Sequence, residues 1–396
     1  MKIGIFTEYF EHDKNSAGRH MSDLVRELSK SSETIDVFTL YKYTNSSSFD
    51  DLNNVQIHSL NVDAKAKNKS LIKRFFIELS ISFKALLVIL RIRKHSYFDV
   101  LIWYSPTIFW APIIKLLNFF KKAHKYLILR DIFPQWAVDL QVLKKNSLQH
   151  KVLRSFESLQ YRTADVIAIQ TEGNRSHFDN MPSISKKIRI LRTWYDSNSL
   201  DINLPNIISE KIPKNKKVLL YAGNLGLAQD QELLLKIINK MQDQDEFVFL
   251  LVGLKDSDRN SVKNYSDIQG LKNLIILDSL DHKYMDALCR RCFLGIFSLD
   301  KRHTTHNIPG KFLQYLSSGL PVFGLCGQGD IVNLINQKGF GRTYLGNKDD
   351  EAVEIIKDLS KDIENGIIDS KVLKRYIKEE LSTKYAVRDI RQSITR

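Results

Sequence analysis

Short apolar runs alternate with amphipathic helical segments through the first half of the chain. The apolar runs that predict strands lie at 2–10, 35–41, 99–105, 125–133 and 164–171. Segments with helical periodicity, such as 17–31 and 147–163, separate them. Strand and helix repeated in this way predict a parallel, doubly wound sheet with helices on both faces.

The same alternation restarts after a polar stretch, 197–216, that contains two prolines and predicts a linker. The later predicted strands lie at 216–223, 247–253, 273–280, 294–299 and 321–326, with helices at 231–242, 285–292 and 311–319. We therefore predict an α/β chain of two Rossmann-like doubly wound domains that face a cleft. The predicted parts are a first domain at 1–198, a linker at 199–215, a second domain at 216–378 and a C-terminal helix at 379–396 that could pack back on the first domain.

Length and composition fit this organisation, because 396 residues exceed what one ordinary core accommodates. No apolar run is long enough to span a bilayer, and the N-terminus predicts a strand rather than a signal peptide. Three cysteines do not make a disulfide framework, so we expect a reducing cytoplasm. The sequence CRRC at 289–292 has zinc-ligand spacing without a second pair, so we expect no metal site.

The net charge of +14 calls for an anionic partner. Between Lys65 and His95 the chain has nine Lys or Arg residues and one acidic residue, Glu78. The segments 75–90 and 113–126 both predict basic amphipathic helices. They suit either an anionic membrane surface or two core-facing helices with solvated basic rims. No nucleic-acid-binding motif occurs, so nucleic acid is not expected.

The segment THNIPGKFLQYLSSGLPV places Lys311 at the start of a predicted helix, after Asn307, Pro309 and Gly310. A helix N-terminus offers free N–H donors and a partial positive charge, and a cation there is unfavourable unless an anion balances it. The pattern indicates a phosphate site. The alternative is a lysine that points into solvent.

Glycine-rich turns follow the first strand of each half. YAGNLGLAQ contains Gly223, Asn224 and Gly226, which would let backbone N–H groups approach a diphosphate, and Gly18 opens a helix in NSAGRH. Many ordinary strand-to-helix turns also contain glycine. Neither turn is GxGxxG and no acidic residue ends a second strand, so a dinucleotide cofactor is disfavoured.

Arg130 and Asp131 end a predicted strand in LRDIFPQWAVDL. There a carboxylate can face a ligand as a base or as an acceptor of sugar hydroxyls. The alternative is a helix N-cap before Pro134.

Taken together, RDIFPQWAVDL, YAGNLGLAQ and THNIPGKFLQY resemble the GT-B glycosyltransferases of family 4, and among these the bacterial O-antigen and capsule N-acetyl-L-fucosaminyl transferases. The resemblance implies a retaining, metal-independent transfer that needs no cofactor. The donor would be a UDP-sugar and the acceptor a lipid-linked oligosaccharide of the undecaprenyl-diphosphate type. It also implies a peripheral protein on the inner face of the plasma membrane.

The resemblance further implies roles for single residues. Lys311 and the glycine-rich turns would bind the diphosphate, Gln314 the ribose, and His306 with Asn307 the donor sugar, while Arg130 and Asp131 would orient hydroxyls. The family commonly has two glutamates separated by seven residues where this chain has His306 and Gln314, and a His-Asp pair where it has Arg130 and Asp131. Two rival functions are a non-catalytic adaptor that binds nucleotide-sugar or lipid, and a UDP-sugar epimerase of the same fold.

Overall fold

A computed structural model describes residues 1–10, 16–43, 49, 51–62, 71–91, 98–105, 107–196, 202–226, 228–305, 307–346 and 348–394, without the side chains of 71–76, 78 and 79. It contains two compact units. Unit 1 comprises Met1–Thr193 and Thr383–Arg396, and unit 2 comprises Trp194–Ser382.

Unit 1 is built on a seven-stranded sheet whose strands are all parallel. Its strands are β1 Lys2–Thr7, β2 Thr34–Thr39, β3 Val55–Ser59, β4 Val100–Tyr104, β5 His124–Leu129, β6 Val166–Ile169 and β7 Ile188–Ile190. Its first helices are α1 Ser16–Leu28, α2 Leu71–Arg91, α3 Ala111–Phe120, α4 Gln135–Asp139, α5 Leu148–Thr163 and α6 Pro182–Ser185. The strands are arranged in the order β3-β2-β1-β4-β5-β6-β7.

Unit 2 is built on a six-stranded parallel sheet in the order β10-β9-β8-β11-β12-β13. Its strands are β8 Lys217–Ala222, β9 Phe247–Val252, β10 Leu274–Leu277, β11 Leu294–Ser298, β12 Val322–Leu325 and β13 Gly341–Tyr344. Its helices are α7 Asn206–Ser209, α8 Gln231–Lys240, α9 Asp256–Gln269, α10 Met285–Arg291, α11 Gly310–Ser318, α12 Asp330–Lys338, α13 Asp349–Glu364 and α14 Ser370–Glu380. The prediction of two doubly wound α/β domains is confirmed.

The apolar pattern of the sequence predicts the central strands better than several of the edge strands. The central strands β4 and β9 are buried along their whole length, because helices cover both faces of a parallel sheet, and they appear as unbroken apolar runs. The edge strands β3, β7 and β13 are only partly buried and carry polar residues. The apolar-run pattern therefore did not predict them.

Each sheet has one point where the direction of winding reverses. In unit 1 the chain passes from β1 outward to β3 and then returns to β4 on the other side of β1. In unit 2 it passes from β8 to β10 and returns to β11 beside β8. We call the carboxyl ends of β1 and β4, and those of β8 and β11, the two switch points. Ligands of open α/β sheets bind at such points.

The last helix, α15 Thr383–Ile394, belongs to unit 1 and packs against α1. Its Arg391 guanidinium donates to the Ser31 hydroxyl at 2.6 Å and to the Glu33 carboxylate at 3.1 Å. Helix α15 therefore joins the beginning and the end of the chain within one unit.

The two basic amphipathic segments form helices that pack against each other, α2 and α3. The prediction of one helical segment over 113–126 is wrong at its end, because the backbone becomes extended at Lys121 and β5 begins at His124. In the described part of the chain, no helix is long and apolar enough to cross a membrane.

Candidate functional site

In unit 2, Tyr315 of α11 bridges β8 and β11, the two neighbouring strands that define the switch point. Its fully buried hydroxyl accepts the Ala222 backbone N–H at 2.9 Å and donates to the Ile296 carbonyl at 3.2 Å. Gly295 leaves room for the ring, since a Cβ atom at that position would lie 2.4 Å from a ring carbon of Tyr315. These contacts fix α11 against β8 and β11.

Helix α11 starts without a side-chain cap. Its N-cap residue is Pro309, whose side chain makes no capping bond, and the Phe312 N–H donates back to the Pro309 carbonyl at 3.1 Å. Among the described residues, none accepts a hydrogen bond from the N–H of Gly310 or Lys311. The helix start therefore presents free donors and the positive end of its dipole.

The Lys311 amine lies in an unusual environment for a cation. Part of the residue is exposed, but Nζ itself is buried and has no hydrogen-bond partner within the described structure. It lies 3.7 Å from the centre of the Tyr221 ring. Burial lowers the pKa of Lys311 to about 7. The ring face favours the charged amine, but one ring does not replace lost hydration, whereas an anion would restore the charge.

Gln314 lies one turn after Lys311 on the same side of α11. Only 8% of the residue is exposed, and its Nε2 is buried without a hydrogen-bond partner in the described part of the chain. Lys311 and Gln314 thus supply two buried donors whose bonds are unmade. Buried donors without a partner lower the stability of the folded protein unless a ligand or water accepts their hydrogen bonds. This face of α11 therefore suits oxygen-rich anions.

The turn after β8 contains two backbone N–H groups that are hydrogen-bonded to other described residues and two that are not. Gly223 has φ +97°, a conformation that favours glycine, and its N–H donates to the Val252 carbonyl at 2.8 Å. The Leu225 N–H donates to Asp258 at 3.3 Å. Within the described structure the N–H groups of Asn224 and Gly226 make no hydrogen bond. Gly223 therefore shapes the turn, and donors for a ligand would come from Asn224 and Gly226.

In unit 1, Arg130 and Asp131 directly follow β5. The Arg130 guanidinium donates to the Thr193 hydroxyl at 2.6 Å, and the Ser105 hydroxyl donates to the Asp131 carbonyl at 2.9 Å. The alternative that Asp131 caps a helix is wrong, because the N-cap of α4 is Pro134 without any side-chain bond. Both residues lie at the carboxyl edge of the sheet, beside the end of β4.

Gly18 does not open its helix but is the third residue of α1, where its carbonyl accepts the Ser22 hydroxyl at 2.6 Å. His306 lies outside the described residues. Asn307 follows it, and the Asn307 N–H donates to the Thr305 carbonyl at 3.1 Å. Among the described residues no group of three or more His, Cys, Asp or Glu side chains could hold a metal ion.

Glu8 is a candidate that the sequence pattern missed. It follows β1 directly, and its carboxylate accepts the Tyr41 hydroxyl at 3.3 Å and the Thr107 hydroxyl at 3.2 Å. The predicted strand 2–10 extends beyond Thr7, where β1 ends, so the sequence analysis assigned Glu8 to the strand and not to the turn after it. An acidic residue between an apolar run and a polar loop was the signal available.

The structure thus gathers the candidates into two groups, one in each unit. Gly310, Lys311 and Gln314 on α11 accompany the β8 turn with Asn224 and Gly226 at the switch point of unit 2. Arg130 and Asp131 lie at the carboxyl edge of unit 1 with Glu8, while Gly18 lies within α1.

Comparison with known proteins finds a family match within unit 2. Residues 216–362 match the family described as glycosyl transferases group 1. A probable glycosyltransferase of Pseudomonas aeruginosa, WbjE, is 21% identical over 219 residues. That match covers 54% of each protein, so it spans about half the length of the curated relative.

Solved structures match over nearly the whole chain. Sucrose-phosphate synthase from Thermosynechococcus elongatus has a TM-score of 0.75 at 11% identity, with 99% of this chain and 98% of that chain covered. Anabaena Alr3699/HepE, in complex with UDP and glucose, has a TM-score of 0.69 at 12% identity, with 100% and 99% covered. WaaG, a glycosyltransferase involved in lipopolysaccharide biosynthesis, has a TM-score of 0.67 at 10% identity, with both chains fully covered. The chain thus has the GT-B glycosyltransferase fold, and its second unit matches the glycosyltransferase group 1 family.

Proposed function

We propose that this protein is a retaining glycosyltransferase that moves a sugar from a UDP-sugar to a lipid-linked oligosaccharide in bacterial surface polysaccharide assembly. The transferred sugar would be N-acetyl-L-fucosamine or another amino sugar. The match of 216–362 to the glycosyltransferase family supports transfer, and the UDP complex of Anabaena HepE supports the donor class. The relation to WaaG supports a role in surface polysaccharide.

One observation carries the proposal: the buried Lys311 amine without a hydrogen-bond partner at the uncapped start of α11. As the glycosidic bond to the donor breaks, negative charge grows on the leaving diphosphate. Lys311 and the free N–H groups of Gly310 and Lys311 would stabilise that charge.

The other candidates would position substrate. Gln314 would donate from Nε2 to a ribose oxygen, and the N–H groups of Asn224 and Gly226 would contact phosphate oxygens. His306 with Asn307 would face the donor sugar, and Arg130 and Asp131 would orient hydroxyls. A neutral Gln314 can bind but does not provide the fixed negative charge of a glutamate.

A donor screen tests the reaction itself. Purified protein is incubated with a panel of UDP-sugars and a lipid-linked acceptor, and the product is analysed for linkage and anomeric configuration. We expect one donor to be transferred with retention. If UDP binds but nothing is transferred or hydrolysed, the adaptor function is correct. If the UDP-sugar isomerises without an acceptor, the epimerase function is correct.

We also propose that unit 1 binds an anionic membrane surface through α2 and α3. Both helices have buried apolar side chains, among them Ile81, Ala85 and Ile89 of α2, so part of each helix faces the core. A further set of large apolar side chains is nevertheless exposed on the same two helices. We call this set the apolar ridge: Phe83, Leu87, Leu90, Leu116, Phe119 and Phe120.

Cations border the apolar ridge. Exposed Arg91, Lys115, Lys121 and Lys122 lie on or directly after the two helices, and Phe119 is 84% exposed. Apolar side chains flanked by cations fit the boundary between acyl chains and anionic headgroups.

Vesicle co-sedimentation with phosphatidylglycerol tests this surface. Each replacement of Arg91, Lys115 or Lys122 by Gln should weaken binding by about 1 kcal/mol. Replacing Phe119 and Phe120 by Gln should remove the binding that survives high salt. The matched control replaces Ile207 and Ile268, exposed apolar residues of unit 2, by Gln. Unchanged binding by the Phe119 and Phe120 variant would disprove the ridge as the membrane contact.

A further inference from the structure

The switch point of unit 1 contains a buried carboxylate. Glu8 follows β1 and is 9% exposed, and Thr107 follows β4 and is 8% exposed. Their side chains meet where the winding reverses, since the Thr107 hydroxyl donates to Oε2 of Glu8 at 3.2 Å. Parallel sheets place ligands at this position, so the location itself indicates a binding site.

Two described hydroxyl groups donate long hydrogen bonds to Glu8. Tyr41, which follows β2, donates to Oε1 at 3.3 Å, and Thr107 donates to Oε2 at 3.2 Å. Hydroxyl-to-carboxylate bonds are usually about 2.5–2.7 Å long.

Aromatic rings lie beside the carboxylate. Tyr9 and Tyr41 are both half-buried, and their ring centres are 5.0 Å apart with 35° between the ring planes. Burial, and then the Glu8 carboxylate, raise the pKa of Tyr41 above its ordinary value, so its hydroxyl stays protonated and can donate. The backbone here is held by the Thr39 hydroxyl, which donates to the Glu8 carbonyl at 3.3 Å.

The chemistry of these groups selects a class of ligand. A fixed carboxylate repels phosphate but accepts hydrogen bonds from hydroxyl groups. Tyr faces offer apolar contact to the C–H face of a pyranose, and a few polar groups in an aromatic setting are typical of small-molecule sites.

We propose that Glu8, Tyr41, Thr107 and Tyr9 form a sugar-binding site in which hydroxyls of a pyranose ring donate to the Glu8 carboxylate. This inference rests on the proposed function in one respect, because the bound sugar would be the terminal residue of the acceptor. Glu8 thereby becomes a residue that determines which acceptor binds.

Saturation-transfer NMR tests the site without requiring turnover. The probes are the methyl glycosides of glucose, galactose, N-acetylglucosamine and N-acetylgalactosamine, added to the full chain. The variant is Glu8→Gln, which keeps the shape and removes the charge. The control is Glu210→Gln, because Glu210 is exposed directly after α7 in unit 2 and its side chain makes no hydrogen bond in the described structure.

We expect at least one glycoside to bind the wild type and the Glu210→Gln variant equally. Binding to Glu8→Gln should be weaker by about tenfold, the scale of one hydrogen bond to a charged group. The inference is overturned if no glycoside binds the wild type, or if Glu8→Gln binds every glycoside as the wild type does.

UDP titration of the same samples separates this inference from the proposed function. UDP binding without glycoside binding overturns the sugar site and leaves the donor site standing. Glycoside binding that depends on Glu8, without UDP binding, supports the sugar site and contradicts the proposed donor.

Discussion

The two sheets of this chain reverse their winding in the same way, yet their switch points carry opposite charges. In unit 2 the Lys311 amine lies over the Tyr221 ring without a hydrogen-bond partner in the described structure. In unit 1 the Glu8 carboxylate lies among hydroxyl groups. Topology selects where a ligand binds, and single side chains select its chemistry.

The switch points also differ in how firmly they are held. Tyr315 bridges β8 and β11 through two bonds from one fully buried hydroxyl. In unit 1 the corresponding bridge is the 3.2 Å contact from Thr107 to Glu8. We therefore expect the switch point of unit 2 to be rigid and the switch point of unit 1 to adapt to its ligand.

The largest expected effect concerns the stability cost of the buried amine. The pKa of Lys311 in the folded protein is about 7, below the value of about 10.4 for an exposed lysine. The unfolded chain therefore binds more protons between these pH values, and stability rises with pH across that window. Lys311→Met should stabilise the ligand-free protein near pH 7 by about 2–4 kcal/mol.

Urea unfolding of the ligand-free protein at pH 6, 8 and 10 measures this effect. The gain from Lys311→Met should shrink as the pH rises. A variant that is less stable than the wild type at every pH would contradict the cost assigned to the amine and weaken the contrast between the units.

The next effect concerns the bridge in unit 2. Tyr315→Phe would remove both hydrogen bonds of a fully buried hydroxyl, so we expect a loss of about 1–3 kcal/mol in the free energy of unfolding. Tyr265→Phe is the control, because the Tyr265 hydroxyl makes no hydrogen bond in the described structure. Equal stability of the two variants would show that Tyr315 does not hold the switch point.

The smallest effect concerns the bridge in unit 1. Thr107→Val keeps the side-chain shape and removes one long hydrogen bond, so we expect a loss of about 0.5–1.5 kcal/mol in the free energy of unfolding. Denaturant unfolding measures it alongside Tyr315→Phe. A loss larger than that of Tyr315→Phe would reverse the proposed difference in rigidity.

Much of the fold followed from the sequence because buried parallel strands are continuous apolar runs. The strands β3, β7 and β13 were missed because these edge strands carry polar residues, whereas the edge strand β10 is apolar throughout and was predicted. The domain boundaries derived from the sequence stay a prediction beside the two observed units.

The candidate site was predictable where its residues lie close together in one short segment. Lys311 and Gln314 lie three residues apart on one helix, so a single motif showed both. Glu8 and Thr107 are brought together only by the pairing of β1 with β4. The burial of the Lys311 amine over Tyr221 likewise depends on contacts between distant parts of the chain.

Calorimetric titration of UDP into the wild type, Lys311→Ala and Lys338→Ala tests the central claim most directly. Lys338 ends α12 on an exposed surface of the same unit. We predict that Lys311→Ala raises the Kd about 10- to 100-fold. We also predict that wild-type affinity falls as the pH rises above 7, and that Lys338→Ala behaves as the wild type does. An unchanged Kd for Lys311→Ala would contradict the account.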